Sequence, residues 1–282
     1  MNQNISMLIK ACNHLGYEYE ILHESGNLVV VKNQGKSHVF VNWATPLNSS
    51  SVTHLCRDKE YFYQYFKPHI NIPKTKGYLN PNCNELYSSY VKDSNVEEIA
   101  NNIEQNFDYP VVLKKNKGSK GRNVFKCNDR SQVINSLDTI YDLSNYKYDY
   151  IAISQEYIHI QKEFRALFLE GDLHCVYEKS ITGAKFVGNL SRLHWEGAKA
   201  KIILDIDFLE QIQYFCKPIF QNCELKYTGL DIALDTNNKL WLIEANSEPG
   251  FDYLVRDCGE ELAIEWYRKT LLLIFSQSHY SK

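Results

Sequence analysis

Three oxygen-bearing side chains in the C-terminal part of the chain are spaced so that they would meet on one face of a β-hairpin. Two runs rich in apolar and β-branched residues flank the asparagine pair at 237–238, which is typical of two antiparallel strands joined by a tight turn. With that pair as the turn, Asp231 lies directly opposite Glu244, and Asn246 shares the face of Glu244 because side chains alternate along a strand. The pattern predicts a patch with two carboxylates and one amide.

This patch is suited to a magnesium ion. Two acidic side chains directly opposite each other destabilise a sheet unless a cation compensates them. Mg²⁺ prefers oxygen ligands and usually shares its remaining positions with water and substrate phosphates. From spacing alone, a solvated hairpin face with ordinary acidic residues is an equally good interpretation. The turn at Pro249-Gly250 favours the metal site, because it leaves Asn246 at a strand end, where functional residues are often found.

A second candidate site is the cationic, glycine-containing loop after a predicted strand at 110–114. The strand ends at Lys114, and the loop residues that would bind phosphate are Lys117, Gly118, Ser119 and Gly121. Free backbone N–H groups beside fixed positive charges are suited to a triphosphate. The loop lacks the Gly-Lys-Ser/Thr pattern of a Walker motif, and a solvated turn is the alternative interpretation.

Residues 229–251 resemble the metal-binding segment of the ATP-grasp superfamily. Its members include carboxylate–amine ligases such as glutathione synthetases, D-alanine–D-alanine ligases and cyanophycin synthetases. In that segment an Asp on one strand, a Glu on the next and an Asn two residues later hold the metal ions that bridge the phosphates of ATP. The resemblance implies that Asp231, Glu244 and Asn246 bind Mg²⁺, with Mn²⁺ as an alternative ion.

The segment around Lys114 is similar to a second motif of the superfamily, a Pro-Val-Val-x-Lys strand followed by a flexible Gly-Ser-x-Gly loop. The similarity implies that Lys114 contacts the phosphates of ATP and that residues 118–121 form a lid. Asn123 departs from the motif, because many members have a second glycine before the valine. We therefore expect a less mobile lid in this chain.

A third resemblance falls on the residues around a strand break at 156–163. In the superfamily, a hinge of the form Glu-x-x-Ile binds adenine through its backbone, and a later Glu binds the ribose hydroxyls. The resemblance implies that Glu156, Tyr157 and Ile158 form the hinge and that Glu163 is the ribose carboxylate. Without the other motifs, two exposed glutamates beside a strand break would be the preferred interpretation.

The first motif of the superfamily is a helix carrying Asp-Lys, followed by a strand start of the form Ile-x-x-Pro-x-Thr. The residues of this chain that resemble it are Asp58, Lys59, Ile72, Pro73 and Thr75. They lie in and after a predicted helical stretch at 52–69. By residue type alone, the Asp-Lys pair is an exposed charge pair on that helix, and this stays the favoured interpretation over a catalytic role.

Four further polar residues are candidates for catalysis. Arg165 shares the predicted strand face of Glu163, and Lys179 lies on the next strand. A positive group there could bind the γ-phosphate or an acyl phosphate. Residues 181–197 are predicted to form a long functional loop in which Asn189 and Arg192 contact substrate or phosphate. The neighbouring His194 and Trp195 are as readily interpreted as packing residues.

The reaction that the resemblance implies is ATP-dependent ligation of a carboxylate to an amine through an acyl phosphate. Small-molecule or peptide substrates are expected as partners. No enzymatic nucleophile is required, which agrees with the lack of a Ser/His/Asp or Cys/His signature. Two alternatives remain: a small-molecule kinase on the same fold, and a non-catalytic module that binds Mg-ATP.

The predicted helices and strands agree with the α+β fold that the resemblance implies. In that fold two α+β lobes with antiparallel sheets grip ATP, here after a short N-terminal α/β module. The predicted division is an N-terminal module at 1–48, an N-terminal lobe at 49–155 and a C-terminal lobe with the metal site at 156–282. Two amphipathic helices, at 205–224 and 261–277, are predicted to cover the hairpin sheet.

The composition restricts the class of protein. The chain has 282 residues, 44% of them hydrophobic, and a formal net charge of −3. A general nucleic-acid-binding protein is expected to carry a net positive charge, so this sequence does not fit that class. Its eight cysteines have no Cys-x-x-Cys spacing, so we expect reduced thiols rather than a zinc site. The apolar runs are too short for a bilayer and the N-terminus lacks a signal-peptide core. We expect a cytoplasmic protein without a membrane partner; a homo-oligomer is compatible with the sequence.

Overall fold

Three antiparallel β-sheets organise the chain in a computed structural model that describes residues 1–118, 123–145 and 148–276. They have three strands in the N-terminal region, four in the middle of the chain and five in the C-terminal half. Helices pack on the sheets, so the predicted α+β class with antiparallel sheets is confirmed.

The N-terminal region consists of one helix and a meander of three strands. Their bounds are α1 Gln3–Leu15, β1 Glu18–Ile21, β2 Leu28–Asn33 and β3 Lys36–Val41. The side chain of Asn2 caps α1 by accepting a hydrogen bond from the backbone N–H of Ile5. The helix ends at Gly16, whose φ of 67° lies in the left-handed region that glycine adopts without strain. Both ends of α1 are therefore fixed by local sequence.

The middle of the chain builds the first lobe around a four-stranded sheet in the order β4-β7-β5-β6. The elements are α2 Ser50–Arg57, α3 Lys59–Phe66, β4 Thr75–Leu79, α4 Val96–Asn106, β5 Val111–Lys115, β6 Val124–Cys127, α5 Arg130–Tyr141 and β7 Ile151–Glu156, with a 3₁₀ helix at Glu85–Tyr90. The apolar sides of α4 and α5 form one core with this sheet.

The C-terminal half builds the second lobe around a five-stranded sheet in the order β10-β9-β8-β11-β12. The elements are β8 Ile160–Leu169, β9 Asp172–Ser180, β10 Lys199–Ile202, α6 Ile206–Asn222, β11 Tyr227–Asp235, β12 Leu240–Asn246, α7 Asp252–Cys258 and α8 Glu261–Ser276, with a 3₁₀ helix at Arg192–His194. The sequence-based interpretation missed β10 and α7. As predicted, α6 and α8 cover the sheet, one on each face.

The two faces of the five-stranded sheet have different surroundings. On one face, Phe164 and Phe168 of β8 pack against α6 and also against α2 and α3. On the opposite face, Leu167 packs against α1 and α8, whereas Glu163 and Arg165 on the same face lie beyond that core and line a cavity. The alternation of side chains along β8 therefore separates the face covered by α6 from the face that carries Leu167, Arg165 and Glu163.

The predicted division at residues 48 and 49 does not separate independent cores. Apolar residues of α1, β2 and β3 share one core with α8 and with the five-stranded sheet. Those of α2 and α3, assigned by sequence to the first lobe, pack mainly on the sheet of the second lobe. The N-terminal region is thus part of the C-terminal lobe in its hydrophobic contacts.

The predicted helix at 52–69 is two helices, α2 and α3, with Asp58 between them. Asp58 ends α2 in an extended conformation and caps α3 by accepting a hydrogen bond from the backbone N–H of Tyr61. Its side chain is only 6% exposed. The interpretation of Asp58 as part of an exposed helical charge pair is therefore wrong, because Asp prefers a helix cap to a helix interior.

The turn between β11 and β12 has three residues, not the predicted two. The backbone N–H of Asp235 donates to the carbonyl of Lys239 at 3.0 Å, which leaves residues 236–238 as the turn. Asn238 takes a φ of 60°, and the Asp235 carboxylate accepts hydrogen bonds from the backbone N–H groups of Asn237 and Lys239 at 2.8 and 2.9 Å. The three-residue turn shifts the pairing next to it by one position.

A β-bulge farther along the hairpin cancels that shift. Ile232 pairs with Leu242, but its neighbour Asp231 pairs with Glu244, so Ile243 has no partner in β11. The predicted pairing of Asp231 with Glu244 is confirmed, although the predicted turn was wrong. The bulge also turns both Ile243 and Glu244 toward the cavity.

The N-terminal helix holds the turn that follows β12. Asn4 of α1 is fully buried, and its amide donates to the carbonyl of Pro249 at 2.9 Å and to the Tyr267 hydroxyl at 3.1 Å. Its side-chain oxygen accepts a hydrogen bond from the backbone N–H of Phe251 at 3.2 Å. Both the nitrogen and the oxygen of the Asn4 side-chain amide are therefore hydrogen-bonded inside an apolar core.

Replacing Asn4 with alanine should lower the free energy of unfolding by about 2–4 kcal/mol, because three buried groups each lose a hydrogen bond. Urea unfolding at neutral pH measures this difference. Asn13→Ala is the matched control: Asn13 lies on the exposed side of the same helix, and we expect a change within about 0.5 kcal/mol. Equal stability of the two variants would contradict the role of Asn4.

Candidate functional site

A cavity of about 1030 Å³ opens between the four-stranded and five-stranded sheets. Sequence-predicted residues from both lobes line it: Lys114, Lys117, Gly118, Glu156, Tyr157, Ile158, Glu163, Arg165, Lys179, Arg192, Asp231, Glu244 and Asn246. Asn189 is not among the residues that line it, and Ser119 and Gly121 lie outside the described residues. The cavity collects candidates that are more than 100 positions apart in the sequence.

The three predicted metal ligands lie together on the wall formed by β11 and β12. Asp231 is paired with Glu244, and the Asn246 amide nitrogen is 3.4 Å from a Glu244 carboxylate oxygen. Gly229 precedes them on β11, opposite Asn246. A side chain at Gly229 would place its Cβ 2.9 Å from Cδ of Arg165, so this position must be glycine for the arginine to cross β11.

Asp231 is the centre of a buried ion-pair cluster. Its carboxylate accepts two hydrogen bonds from the guanidinium of Arg165, including one from Nη2 at 2.9 Å, and lies 2.9 Å from Nζ of Lys179. Lys179 also contacts a carboxylate oxygen of Glu163 at 2.5 Å. Two cations and two carboxylates therefore alternate across β11, β8 and β9, which offsets the cost of burying each charge.

The cluster holds Asp231 and Lys179 in their charged forms. Burial alone would raise the pKa of Asp231, but Arg165 and Lys179 outweigh it and lower that pKa to about 2. Burial alone would lower the pKa of Lys179, but Asp231 and Glu163 outweigh it and raise the pKa. Asp231 is therefore an ionised oxygen donor throughout the physiological pH range.

The donor set fits a hard divalent cation. Glu244 is partly exposed to the cavity and has no ion-pair partner within the described part of the chain. Those residues contain no cluster of three or more His, Cys, Asp or Glu with metal-site geometry. The set here contains two carboxylates and an amide, which are oxygen ligands suited to Mg²⁺ rather than to zinc.

Lys114 lies across the cavity on β5 and is 7% exposed. Its ammonium donates to the side-chain oxygen of Gln155 at 2.8 Å, and the Gln155 amide donates to the Thr75 hydroxyl, also at 2.8 Å. The hydroxyl in turn donates to the carbonyl of Pro73 at 2.9 Å. The Pro-x-Thr residues of the first motif thus orient the lysine through Gln155, a role that the sequence did not indicate.

The Asp58-Lys59 pair fixes the start of the glycine-containing loop. The Lys59 ammonium donates to the carbonyls of Asn116 and Gly118 at 3.2 and 2.9 Å. A carboxylate oxygen of Asp58 accepts a hydrogen bond from the Asn116 amide at 2.7 Å. Asp149 contributes as well, by accepting from the backbone N–H of Lys117 at 2.7 Å. Asn116 and Asp149 were missed because their partners are distant in sequence.

The hinge residues line the cavity together with five apolar side chains, which are called the apolar slot below. The walls of this slot are Val112, Val124, Ile158, Ile160 and Ile243. The Glu156 carboxylate accepts from the backbone N–H of Lys74 at 3.2 Å, and Nζ of Lys126 lies 4.3 Å from the centre of the Tyr157 ring. A flat heterocycle would meet apolar side chains on its faces and hinge backbone at its edge.

Arg192 and Asn189 organise the loop at 181–197. Arg192 donates to the carbonyls of Ile160 and Gln161 at 2.7 and 3.0 Å, and its Nε lies 3.9 Å from Glu163. The Asn189 side-chain oxygen accepts from the backbone N–H of Ser191 at 2.9 Å. Arg192 thus ties the loop to the start of β8 while it lines the cavity.

Two antiparallel sheets enclose a cavity with a buried lysine on one wall and an Asp/Glu/Asn set on the other, which is the arrangement that the ATP-grasp motifs of the sequence imply. The RimK-like ATP-grasp domain model matches residues 84–269, well over half of the chain. The chain therefore belongs to the RimK-like ATP-grasp family, as the sequence motifs predicted. No curated protein sequence matched it.

Solved ligase structures share the fold. A bifunctional glutathione synthetase from Pasteurella multocida superposes with a TM-score of 0.60 at 13% identity, covering 97% of this chain and 44% of that chain. The D-Ala:D-Ser ligase VanG from Enterococcus faecalis gives 0.55 at 17% identity, covering 78% and 62%. A D-alanine–D-alanine ligase from Bacillus anthracis gives 0.53 at 18% identity, covering 79% and 66%. The chain thus spans less than half of the synthetase and about two thirds of these ligases.

No helix among the described residues is both long and apolar enough to cross a membrane.

Proposed function

We propose that this chain is an ADP-forming ligase that joins a carboxylate to an amine at the expense of ATP. The observation that carries the proposal is the meeting, in one cavity, of buried Lys114 with the oxygen set of Asp231, Glu244 and Asn246. Membership of the RimK-like ATP-grasp family and the shared fold of solved carboxylate–amine ligases support it.

In this proposal the hinge and the apolar slot bind adenine, and Glu163 accepts hydrogen bonds from the ribose hydroxyls. Lys114 and the loop from Lys117 to Gly121 contact the phosphates, with Lys59 holding the loop. Asp231, Glu244 and Asn246 hold Mg²⁺, or Mn²⁺ in its place, which when bound offsets the negative charge of the transferring phosphoryl group. Arg165 and Lys179 add fixed positive charge beside it.

The proposed reaction has two steps, phosphoryl transfer to the carboxylate and amide formation. An oxygen of the substrate carboxylate attacks the γ-phosphorus, the bond to the β-phosphate oxygen breaks, and ADP leaves an acyl phosphate behind. The amine nitrogen then attacks the acyl carbon, inorganic phosphate leaves, and the amine gives up a proton as the amide forms. Neither step needs an enzymatic nucleophile. The substrates are small molecules or peptides, and the expected compartment is the cytoplasm.

Trapping with hydroxylamine tests the reaction class. Hydroxylamine intercepts an acyl phosphate as a hydroxamate, so incubation with ATP, Mg²⁺ and a panel of carboxylates should give hydroxamate and ADP in equal amounts. A kinase that phosphorylates alcohols would form ADP with a phosphorylated alcohol and no hydroxamate. A non-catalytic nucleotide-binding module would form no ADP with any member of the panel.

The phosphate role of Lys114 predicts a pH dependence of nucleotide binding. Burial, assisted by Lys59, lowers the pKa of Lys114 to about 8, against the opposing effect of the carboxylates Glu244, Glu163 and Asp231. A lowered lysine pKa means that the free protein loses this charge as the pH rises through 8, so the Kd for Mg-ATP should increase between pH 8 and 9.5.

Calorimetric titration across that pH range measures the effect. Lys114→Met is the control, and we expect it to bind Mg-ATP more weakly at pH 7 and to lose the increase of Kd above pH 8. A variant with the same pH profile as the unmodified protein would contradict the assignment of this lysine.

A further inference from the structure

Part of the cavity wall is aromatic and plays no role in the proposed nucleotide site. Its rings come from three separate regions: one follows β3, three lie in the loop at 181–197, and one lies in α7. They are Trp43, Phe186, His194, Trp195 and Tyr253, and they are called the aromatic chamber below. These rings line the same cavity as Glu244 and Asn246, so the chamber is continuous with the candidate phosphoryl-transfer site.

The chamber adjoins the end of the metal-binding strand. Gly250 lies four residues after Asn246, and a Cβ built on it would lie 3.7 Å from Nε1 of Trp43. Tyr253 follows in α7, and its hydroxyl is 2.9 Å from Nδ1 of His194. The N-terminal region, the metal-binding hairpin and the loop at 181–197 therefore meet around this chamber.

Several rings are partly open to the cavity rather than buried by protein. Phe186 is 52% exposed, and its ring meets Trp195 edge to face with the ring centres 5.0 Å apart. The Trp195 indole N–H donates to the carbonyl of Asn189 at 2.6 Å, so its polar group is already satisfied. A ligand in the chamber would thus meet ring faces and edges, against which an aromatic group packs in offset-stacked or edge-to-face geometry.

In the proposed reaction the substrate carboxylate must reach the γ-phosphate beside Glu244 and Asn246. The two arginines on this side of the cavity are both paired, Arg165 with Asp231 and Arg57 with Glu248 at 2.8 Å, so the cation that neutralises the reacting carboxylate would be the bound Mg²⁺. A substrate with its carboxylate at that end would extend its remaining body toward the rings. The carboxylate that reacts and the group that the rings recognise would then lie at different ends of the substrate.

We propose that the aromatic chamber binds the side chain of the carboxylate substrate and selects a substrate with an aromatic group, such as an N-acylated aromatic amino acid or a peptide ending in one. The inference rests on the proposed ligase function and adds its substrate class. It also gives the N-terminal region a function, since Trp43 completes the substrate pocket.

Direct binding tests the chamber without requiring turnover. Calorimetric titrations compare N-acetyl-L-phenylalanine with N-acetylglycine, which differ only by the benzyl group, each with and without the non-hydrolysable nucleotide Mg-AMP-PNP. We expect the aromatic compound to bind at least about tenfold more tightly, as a buried apolar group of this size permits. Equal affinities, tighter binding of N-acetyl-L-glutamate, or no binding of either compound would overturn the proposal.

Two variants locate the site. Phe186→Ala changes a half-exposed loop residue, so the fold should persist, and the preference for the aromatic compound should fall about fivefold. Trp43→Ala should reduce it further. Leu272→Ala, on the exposed side of α8 and outside the cavity, is the matched control and should leave the preference unchanged. An unchanged preference in Phe186→Ala would place the aromatic group elsewhere and overturn the assignment.

The melting shift caused by Mg-ATP separates this inference from the proposed function. If the shift is present but the aromatic preference is absent, the chamber assignment fails and the ligase proposal stands. If the shift is absent, the nucleotide site fails, while the titration without nucleotide still decides whether aromatic carboxylates bind the chamber.

Discussion

Asp231→Asn is expected to destabilise the protein by about 3–5 kcal/mol, in addition to abolishing turnover. The neutral amide removes the negative charge beside two buried cations, Arg165 and Lys179, and leaves Glu163, which contacts Lys179, as the remaining carboxylate of the cluster. The effect is large because these side chains are only 5–15% exposed, so water compensates poorly for the lost partner. Urea unfolding at neutral pH, with activity measured on the folded fraction, gives both quantities.

Asp235→Asn provides a comparison on the same strand. Asp235 accepts hydrogen bonds within its own turn and from the Trp241 indole at 2.9 Å, and no cation is paired with it among the described residues. We expect a smaller loss, about 1–2 kcal/mol. If Asp231→Asn were no more destabilising than this control, the ion-pair cluster would not stabilise the fold as described.

Glu244→Gln is expected to show the opposite combination, a stable fold with turnover reduced by about 100-fold or more. Glu244 is partly exposed and unpaired, so the loss of its charge removes no ion pair from the described structure. The free energy of unfolding should therefore change by less than about 1 kcal/mol. On the proposed assignment, turnover falls because a bound Mg²⁺ would lose an anionic ligand opposite Asp231.

Hydroxamate formation measures this loss once a carboxylate is accepted. Glu224→Gln is the control: it removes an exposed carboxylate that precedes β11 and lies outside the cavity. Undiminished turnover of Glu244→Gln would refute the metal assignment, whereas a large loss in Glu224→Gln as well would show that the change of charge acts nonspecifically.

The hairpin shows how far local sequence rules reach. Alternation of side chains brought Asp231 and Glu244 opposite each other, and that pairing is present in the structure. The rule succeeded because a three-residue turn and a bulge at Ile243 change the register in opposite directions. Neither could be predicted, since the turn depends on the Asp235 side chain and the bulge on packing across the sheet.

Tertiary contacts account for most of what the sequence did not reveal. Asp58 and Asn116 are 58 positions apart and form a hydrogen bond of 2.7 Å, and nothing in either local sequence indicates the pair. Asn4 did leave a signal, because it lies one helical turn before Leu8 on the buried side of α1. A polar residue within an apolar helical stripe indicates a buried hydrogen-bond network. The partners in that network could not be predicted.

The melting temperature with ATP, in the presence and absence of Mg²⁺, tests the central claim most directly. At a nucleotide concentration about 100 times Kd, binding adds about 2.7 kcal/mol, which corresponds to an increase of about 5 °C for a chain of this size. We predict that this increase requires Mg²⁺ and is largely lost in Glu244→Gln. No increase under any condition, or an equal increase without Mg²⁺ and in the variant, would contradict a Mg-ATP site on this hairpin.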